Sequence, residues 1–270
     1  MERIQAAIQK AKEQRGMPAA RGLPGTYSSW DAPSAVGASW EALESFEPDP
    51  ALMAEHRIVT YADSDPSDAA FDMLRTRILR TMRENRWVSL GITSPTSACG
   101  KSMTSLNLAF SLARQTDMRT VLVDLDLRRP SIARTLGLET PQSMASVLQG
   151  TRSPTENFVR VGDNLAIGTN AGSVRNSSEI LLNPATAQGV ANLKATFRPN
   201  VLLFDLPPML VSDDVMAFLP HLDCVLLVAG AERTRLDEVD ACEQDLSAQC
   251  NFLGVVLNMC RYGGETYGYY

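Results

Sequence analysis

From residue 87 onward, short apolar runs alternate with helix-length stretches, and this rhythm constrains the fold more than any other feature. WVSLGIT (87–93), TVLVDLD (120–126), LAIGT (165–169), VLLFD (201–205), CVLLVAG (224–230) and FLGVVLN (252–258) are the runs. Apolar runs of this length read as strands buried on both faces, and strands joined through helices build a mainly parallel sheet. The expected fold class is therefore α/β, a mainly parallel central sheet flanked by helices.

Upstream of that rhythm the signals are weaker. Residues 1–16 carry a thin apolar face of Ile4, Ala7, Ile8 and Ala11, and the first 21 residues hold five Lys/Arg against two Glu. This reads as a solvated helix or as a docking element. Residues 16–55 are rich in Gly, Pro, Ser and Ala and read as linker with at most short helices. RIVTY (57–61) reads as an extended segment. Residues 65–86 predict a helix, with Asp65 or Ser67 as cap, Pro66 near the start, and Phe71, Leu74, Ile78 and Met82 at helical spacing. Its other faces bear Arg75, Arg77, Arg80, Arg83 and Arg86, a solvated face or a surface for an acidic partner. The expected organisation is an N-terminal tail over 1–56, one domain over 57–260 and a C-terminal tail over 261–270.

Composition narrows the function. A net charge of −6 argues against general nucleic-acid binding, which leaves a basic footprint. No apolar run is long enough to span a bilayer, and the start does not read as a secretory signal. Five cysteines without CxxC spacing fit a reduced, cytoplasmic setting.

Three motifs sit at the ends of predicted strands. The first strand runs into SPTSACGKSMTS, with Gly100, Lys101 and Ser102 opening a helix. A phosphate loop needs converging backbone N–H groups, a lysine for the β- and γ-phosphates, and a hydroxyl for Mg²⁺. The common pattern would have glycine at 95, where Pro95 stands. The second motif, VLVDLDLRRP, ends a strand in Asp124 and Asp126, two apart and so facing one way in an extended chain. Paired buried carboxylates repel, which a cation or a bound proton relieves. A cap at Asp126 with an ion pair to Arg128 or Arg129 is the plainer reading. The third, VLLFDLPP, ends in Asp205, either a metal-water ligand or a turn residue before prolines.

Together these motifs resemble the bacterial tyrosine kinases (BY-kinases) of the CpsD/CapB type, the autokinases of capsule and exopolysaccharide synthesis. The likeness covers 57–270. Thr93, Ser94, Gly100, Lys101 and Ser102 match the family loop, Val121 to Arg128 the D-x-D-x-R motif, and Leu202 to Pro208 the D-x-x-P motif. Tyr262, Tyr267, Tyr269 and Tyr270 match the family's terminal tyrosine cluster and would be its phosphoacceptors. The resemblance implies a P-loop NTPase fold of the ParA/MinD-like type that uses ATP and Mg²⁺. Ser97, Ala98, Cys99, Gly100, Lys101, Ser102 and Met103 would line the nucleotide, with Asn258 at the base or simply in a turn. Ser102, Asp126 and Asp205 would hold the metal, Lys101 would neutralise phosphate charge, and Asp124 would accept the phenol proton. Cys99 is either a thiol of lowered pKa or a small tolerated side chain.

Two departures stand out. The family's E-x-x-R-x-x-R helix, which mediates ring assembly, keeps only Arg75, because Ala69 and Asp72 replace the other two residues. Ser97, Ala98 and Cys99 stand where Pro, Gly and Glu are common, and an alanine at 98 is strained if that position needs positive φ. The resemblance also implies an inner-membrane polysaccharide chain-length regulator whose cytoplasmic segment recruits and activates the domain. It implies a homo-oligomer in which tails are modified in trans, and no nucleic acid. A ParA/MinD-like switch ATPase without tyrosine transfer, or a non-catalytic binding module, are the alternatives.

Overall fold

A computed structural model describes residue 30 and residues 38–61, 68–139 and 143–260. In chain order the elements are α1 (Ala38–Glu41), β1 (Glu44–Ser45), α2 (Pro50–Glu55), α3 (Asp68–Asn85), β2 (Ser89–Thr93), α4 (Lys101–Ala113), β3 (Thr120–Asp124), α5 (Ile132–Leu136), α6 (Met144–Leu148), β4 (Phe158–Val161) and β5 (Leu165–Gly168). Then come α7 (Ser177–Leu182), α8 (Pro184–Phe197), β6 (Val201–Asp205), α9 (Asp214–Phe218), β7 (Cys224–Gly230), α10 (Leu236–Gln249) and β8 (Asn251–Asn258). The strands form one sheet in the order β1-β4-β5-β3-β6-β2-β7-β8. Every neighbouring pair is parallel except β4–β5, which is antiparallel.

The central strands are mostly apolar because both of their faces are covered. Successive residues point to opposite faces, so Val121 and Val123 pack in one core while Leu122 packs in the other. Leu202 and Phe204 likewise separate from Val201 and Leu203. The central strands β2, β3, β6 and β7 are buried along their whole length. The sheet is thereby a rigid base from whose carboxyl ends the three motif loops emerge.

Two upstream expectations change. Residues 38–55 are not a free linker. Trp40 is fully buried against Phe197, donating its indole N–H to the Phe197 carbonyl at 2.9 Å, and Met53 lies in the second core. Residues 57–61 are not extended either. Arg57 adopts φ 58°, and the N–H of Ile58 bonds back to the Met53 carbonyl, ending α2 in a tight turn. Asn107 of α4 then fixes that turn, accepting from the Thr60 N–H and donating to the Arg57 carbonyl. The helix expected over 65–86 spans Asp68–Asn85; Asp65, Pro66 and Ser67 lie outside the described residues. Strands β1 and β4 carried no sequence signal.

Candidate nucleotide and phosphoryl-transfer site

The loop after β2 is fastened before it reaches the glycine. Thr93 Oγ1 donates to the Pro207 carbonyl at 2.7 Å, and the Ser94 and Pro95 carbonyls accept from the N–H groups of Met209 and Leu210. The loop following β2 is thus joined to the loop following β6. Two left-handed residues, Ala98 at φ 63° and Gly100 at φ 81°, then turn the backbone into α4. Such turns aim successive N–H groups to one side, and the helix start adds its positive dipole end. Asn258, the last residue of β8, donates its side-chain amide to the Cys99 carbonyl at 3.0 Å. A Cβ on Gly100 would collide with that amide, so the glycine serves both φ and close approach.

Lys101 is the first residue of α4 and is buried. Its Nζ lies 3.0 Å from Asp205 Oδ1, 3.6 Å from Asp126 Oδ2 and 3.3 Å from Ser102 Oγ. Burial would lower its pKa, but Asp205 and then Asp126 outweigh that and hold it above the usual lysine value. Ser105 Oγ donates to the same Asp205 oxygen at 2.9 Å. Asp124 ends β3 directly opposite Asp205 in the parallel register. Its oxygens accept from the backbone N–H groups of Asp126, Ser131 and Ile132. Even so, burial first and the neighbouring Asp205 second push its pKa up to about 8. Asp126 is raised too, chiefly by burial, although Lys101 opposes the shift. The plainer reading of Asp126 holds in part: it accepts from the Arg129 N–H as a turn cap. Arg128, however, turns away to Asp214, Ser177 and Ser178.

That last cluster was missed by sequence reasoning. Buried Asp214 at the start of α9 takes Arg128 at 3.1 Å and Ser178 Oγ at 2.6 Å. Burial acts to raise its pKa, yet the hydrogen bonds from Arg128 and the two serines hold it below the usual carboxylate value. Only the Arg128 position was marked in sequence, by the D-x-D-x-R spacing; the Ser177–Ser178 and Asp213–Asp214 pairs carry no motif. Their effect is to anchor the loop that carries Asp126.

The residues fit a divalent cation and a polyphosphate. Three carboxylates surround one ammonium, which leaves excess negative charge in a buried space. Asp205 Oδ2 is buried without a hydrogen-bond partner. Among the described residues no group of three or more His, Cys, Asp or Glu side chains is spaced to hold a metal unaided. A cation would therefore draw on Ser102 and phosphate oxygens as well. Ser97 is exposed and Met103 half-buried on the rim, while Cys99 is buried. Burial works to raise the Cys99 thiol, but hydrogen bonds from Thr234, Thr96 and the backbone bring it below its usual value. Tyr262, Tyr267, Tyr269 and Tyr270 lie outside the described residues.

The family model described as ParA, NUBPL iron-transfer P-loop NTPase, matches residues 88–268. The chain belongs to the ParA family of P-loop NTPases. Within this family the chain is similar to bacterial tyrosine kinases. It is 31% identical over 217 residues to a putative tyrosine-protein kinase EpsB of Ralstonia nicotianae, covering 76% of this chain and 28% of that protein. It is 29% identical over 203 residues to the tyrosine-protein kinase CpsD of Streptococcus agalactiae, covering 74% of this chain and 86% of CpsD. The VpsO kinase domain superposes with a TM-score of 0.63 at 29% identity, covering 72% of this chain and 96% of that one. The chain thus spans little more than a quarter of the EpsB relatives but most of the shorter kinases. In this ParA-family fold no helix among the described residues is long and apolar enough to cross a membrane.

Proposed function

We propose that the chain is an ATP- and Mg²⁺-dependent protein-tyrosine autokinase domain. It would modify Tyr262, Tyr267, Tyr269 and Tyr270 in trans and thereby control capsular or exopolysaccharide output. The observation that carries this reading is the convergence of Lys101 with Asp124, Asp126 and Asp205 at the ends of three neighbouring strands. Phosphate binding alone explains Lys101, Ser102 and one carboxylate. A third buried carboxylate of raised pKa is suited to accepting a proton. In the reaction the phenol oxygen bonds to the γ-phosphorus, the bond to the β,γ-bridging oxygen breaks, ADP leaves, and Asp124 takes the phenolic proton. Bound Mg²⁺ supplies charge neutralisation at the phosphates. Lys101 orients the phosphates, Ser102 offers its hydroxyl to the metal, and Asp126 and Asp205 position it. The loop residues Ser97 to Met103 and Asn258 enclose the nucleotide. The partner would be the cytoplasmic segment of an inner-membrane chain-length regulator, which brings the domain to the membrane.

One observation favours a second reading, a switch ATPase without tyrosine transfer: both Asp124 oxygens already serve backbone N–H groups, Oδ1 that of Asp126 and Oδ2 those of Ser131 and Ile132 at the start of α5. A single incubation with ATP and Mg²⁺, with and without the regulator's segment, separates the two. Phosphotyrosine on the tail supports the kinase; free phosphate with an unlabelled tail supports the switch. Lys101→Met should abolish labelling, with Lys101→Arg as a charge-conserving control for folding. Labelling retained in Lys101→Met would refute the site.

A further inference from the structure

Beside β8 lies a groove of about 1450 Å³, walled by α2 and its following turn, by α3, and by the start of α4. Small-molecule sites usually measure about 300–1,000 Å³, so a nucleotide base would leave most of this space open. Among the described residues eight large apolar side chains are exposed, and four of them, Met73, Val255, Leu257 and Met259, line this one groove. β8 is also the last strand of the sheet, so its outer edge has no strand partner among the described residues. Proteins normally cover or blunt an apolar edge of this kind. The rim is basic. Arg57, Arg77 and Arg233 line it, all exposed and none in an ion pair among the described residues, against the single acid Glu232.

We infer that this groove is the docking site, within the same chain, for residues 261–270. The segment starts at the groove, because Met259 and Cys260 are themselves lining residues. Ten extended residues reach roughly 33 Å, and Gly263–Gly264 permits the chain to reverse immediately. The four tyrosines suit an apolar floor with a polar rim, since each ring is apolar and each hydroxyl needs a partner. The segment would lie along the free edge of β8 with its rings over Met73, Leu257 and Met259. Phosphate on those tyrosines adds roughly −1.5 to −2 charge apiece, and the three arginines would then hold the segment more tightly. Docking requires no catalysis; only the phosphate-dependent part rests on the proposed function.

Hydroxyl-radical footprinting of the full chain tests the docking without nucleotide. Met73 and Met259 should be oxidised severalfold faster when the four tyrosines are replaced by serine, while Met216 on the far face keeps its rate. The substituted positions lie outside the described core, and Met73→Asp, at an exposed site, gives a second variant that should free Met259. Unchanged rates at both methionines would overturn the proposal. So would protection that grows with protein concentration, which would assign the groove to a second copy. A fluorescein-labelled peptide of residues 261–270 should bind the four-serine chain more tightly than the unsubstituted one. Phosphorylating its tyrosines should tighten binding further, and Arg57→Gln, Arg77→Gln and Arg233→Gln combined should erase that gain. Equal affinity with and without phosphate would overturn the role of the arginines.

Discussion

The ammonium of Lys101 lies 3.0 Å from one oxygen of Asp205, while the other oxygen of that carboxylate is buried without a hydrogen-bond partner. Lys101 therefore offsets part of the charge of the acidic cluster and leaves one acceptor site open. Removing one partner of a buried ion pair typically costs about 3–5 kcal/mol, because the other is left uncompensated. Lys101→Met should thus lose stability of that order at neutral pH in urea unfolding, whereas Lys101→Arg should lose much less. Equal stability of wild type and Lys101→Met would mean that the lysine does not compensate the carboxylates in solution.

The raised pKa of Asp124 predicts a pH dependence. Its folded value, about 8, exceeds the unfolded reference of about 3.9. Such a group binds its proton more tightly when folded, so its stabilising effect is full below the unfolded value and is lost as pH rises through the folded one. Asp126 acts in the same direction. In metal-free buffer, unfolding midpoints should fall between pH 5 and 8.5, and Asp124→Asn should flatten that slope. A wild-type slope no steeper than that of Asp124→Asn would count against the burial of the charge.

Ala98 occupies a left-handed conformation at φ 63°, which an L side chain adopts at a cost of roughly 1–2 kcal/mol. Glycine removes that strain but adds unfolded-state entropy of about 0.4–1 kcal/mol. Ala98→Gly should therefore raise stability by about 1 kcal/mol or slightly less. Isothermal titration with ATP would also show tighter binding if the strain opposes the bound form of the loop. A destabilised glycine variant would indicate that the left-handed turn is not formed.

The sheet and the three strand-end motifs were legible because their causes are local. Strands buried on both faces, such as Thr120–Asp124 and Val201–Asp205, show as apolar runs, and phosphate chemistry demands GKS and aspartates next to them. Long-range contacts were not legible. Trp40 belongs to a segment whose Gly, Pro and Ser content reads as linker, yet its partner Phe197 lies 157 residues away. β4 contains Arg160 and spans only Phe158–Val161, too short for a pattern. Asp214 and Arg128 meet across 86 residues without any spacing that announces it.

Trp40 provides a direct check on the packing of residues 38–55. Truncating a large buried aromatic typically costs about 3–5 kcal/mol, and here an indole N–H bond to Phe197 is lost as well. Trp40→Ala should lower the urea midpoint by a corresponding amount, although the residue lies well upstream of the nucleotide loop. A loss under about 1 kcal/mol, the usual scale for surface changes, would return residues 38–55 to the status of linker.

Asp72 changes what α3 can offer to another chain. Its Oδ1 accepts from Arg75 Nη1 at 2.7 Å and from Ser111 Oγ at 2.8 Å, and Arg75 also donates to the Ser111 carbonyl. Arg114 adds an ion pair to Asp68 at 2.6 Å, so the first half of α3 is bonded inward onto α4. Arg75, the arginine that remains of the E-x-x-R-x-x-R pattern, is thereby occupied within its own chain, and Ala69 offers a neighbour no carboxylate. The expected outcome is a single-chain mass by light scattering in the absence of a partner. Asp72→Ala should cost about 1 kcal/mol, since the pair is partly exposed. Ala69→Glu combined with Asp72→Arg should shift the mass upward by restoring the motif and releasing Arg75. An unsubstituted chain that already assembles, and that Arg75→Ala dissociates, would show that this guanidinium serves a neighbour after all.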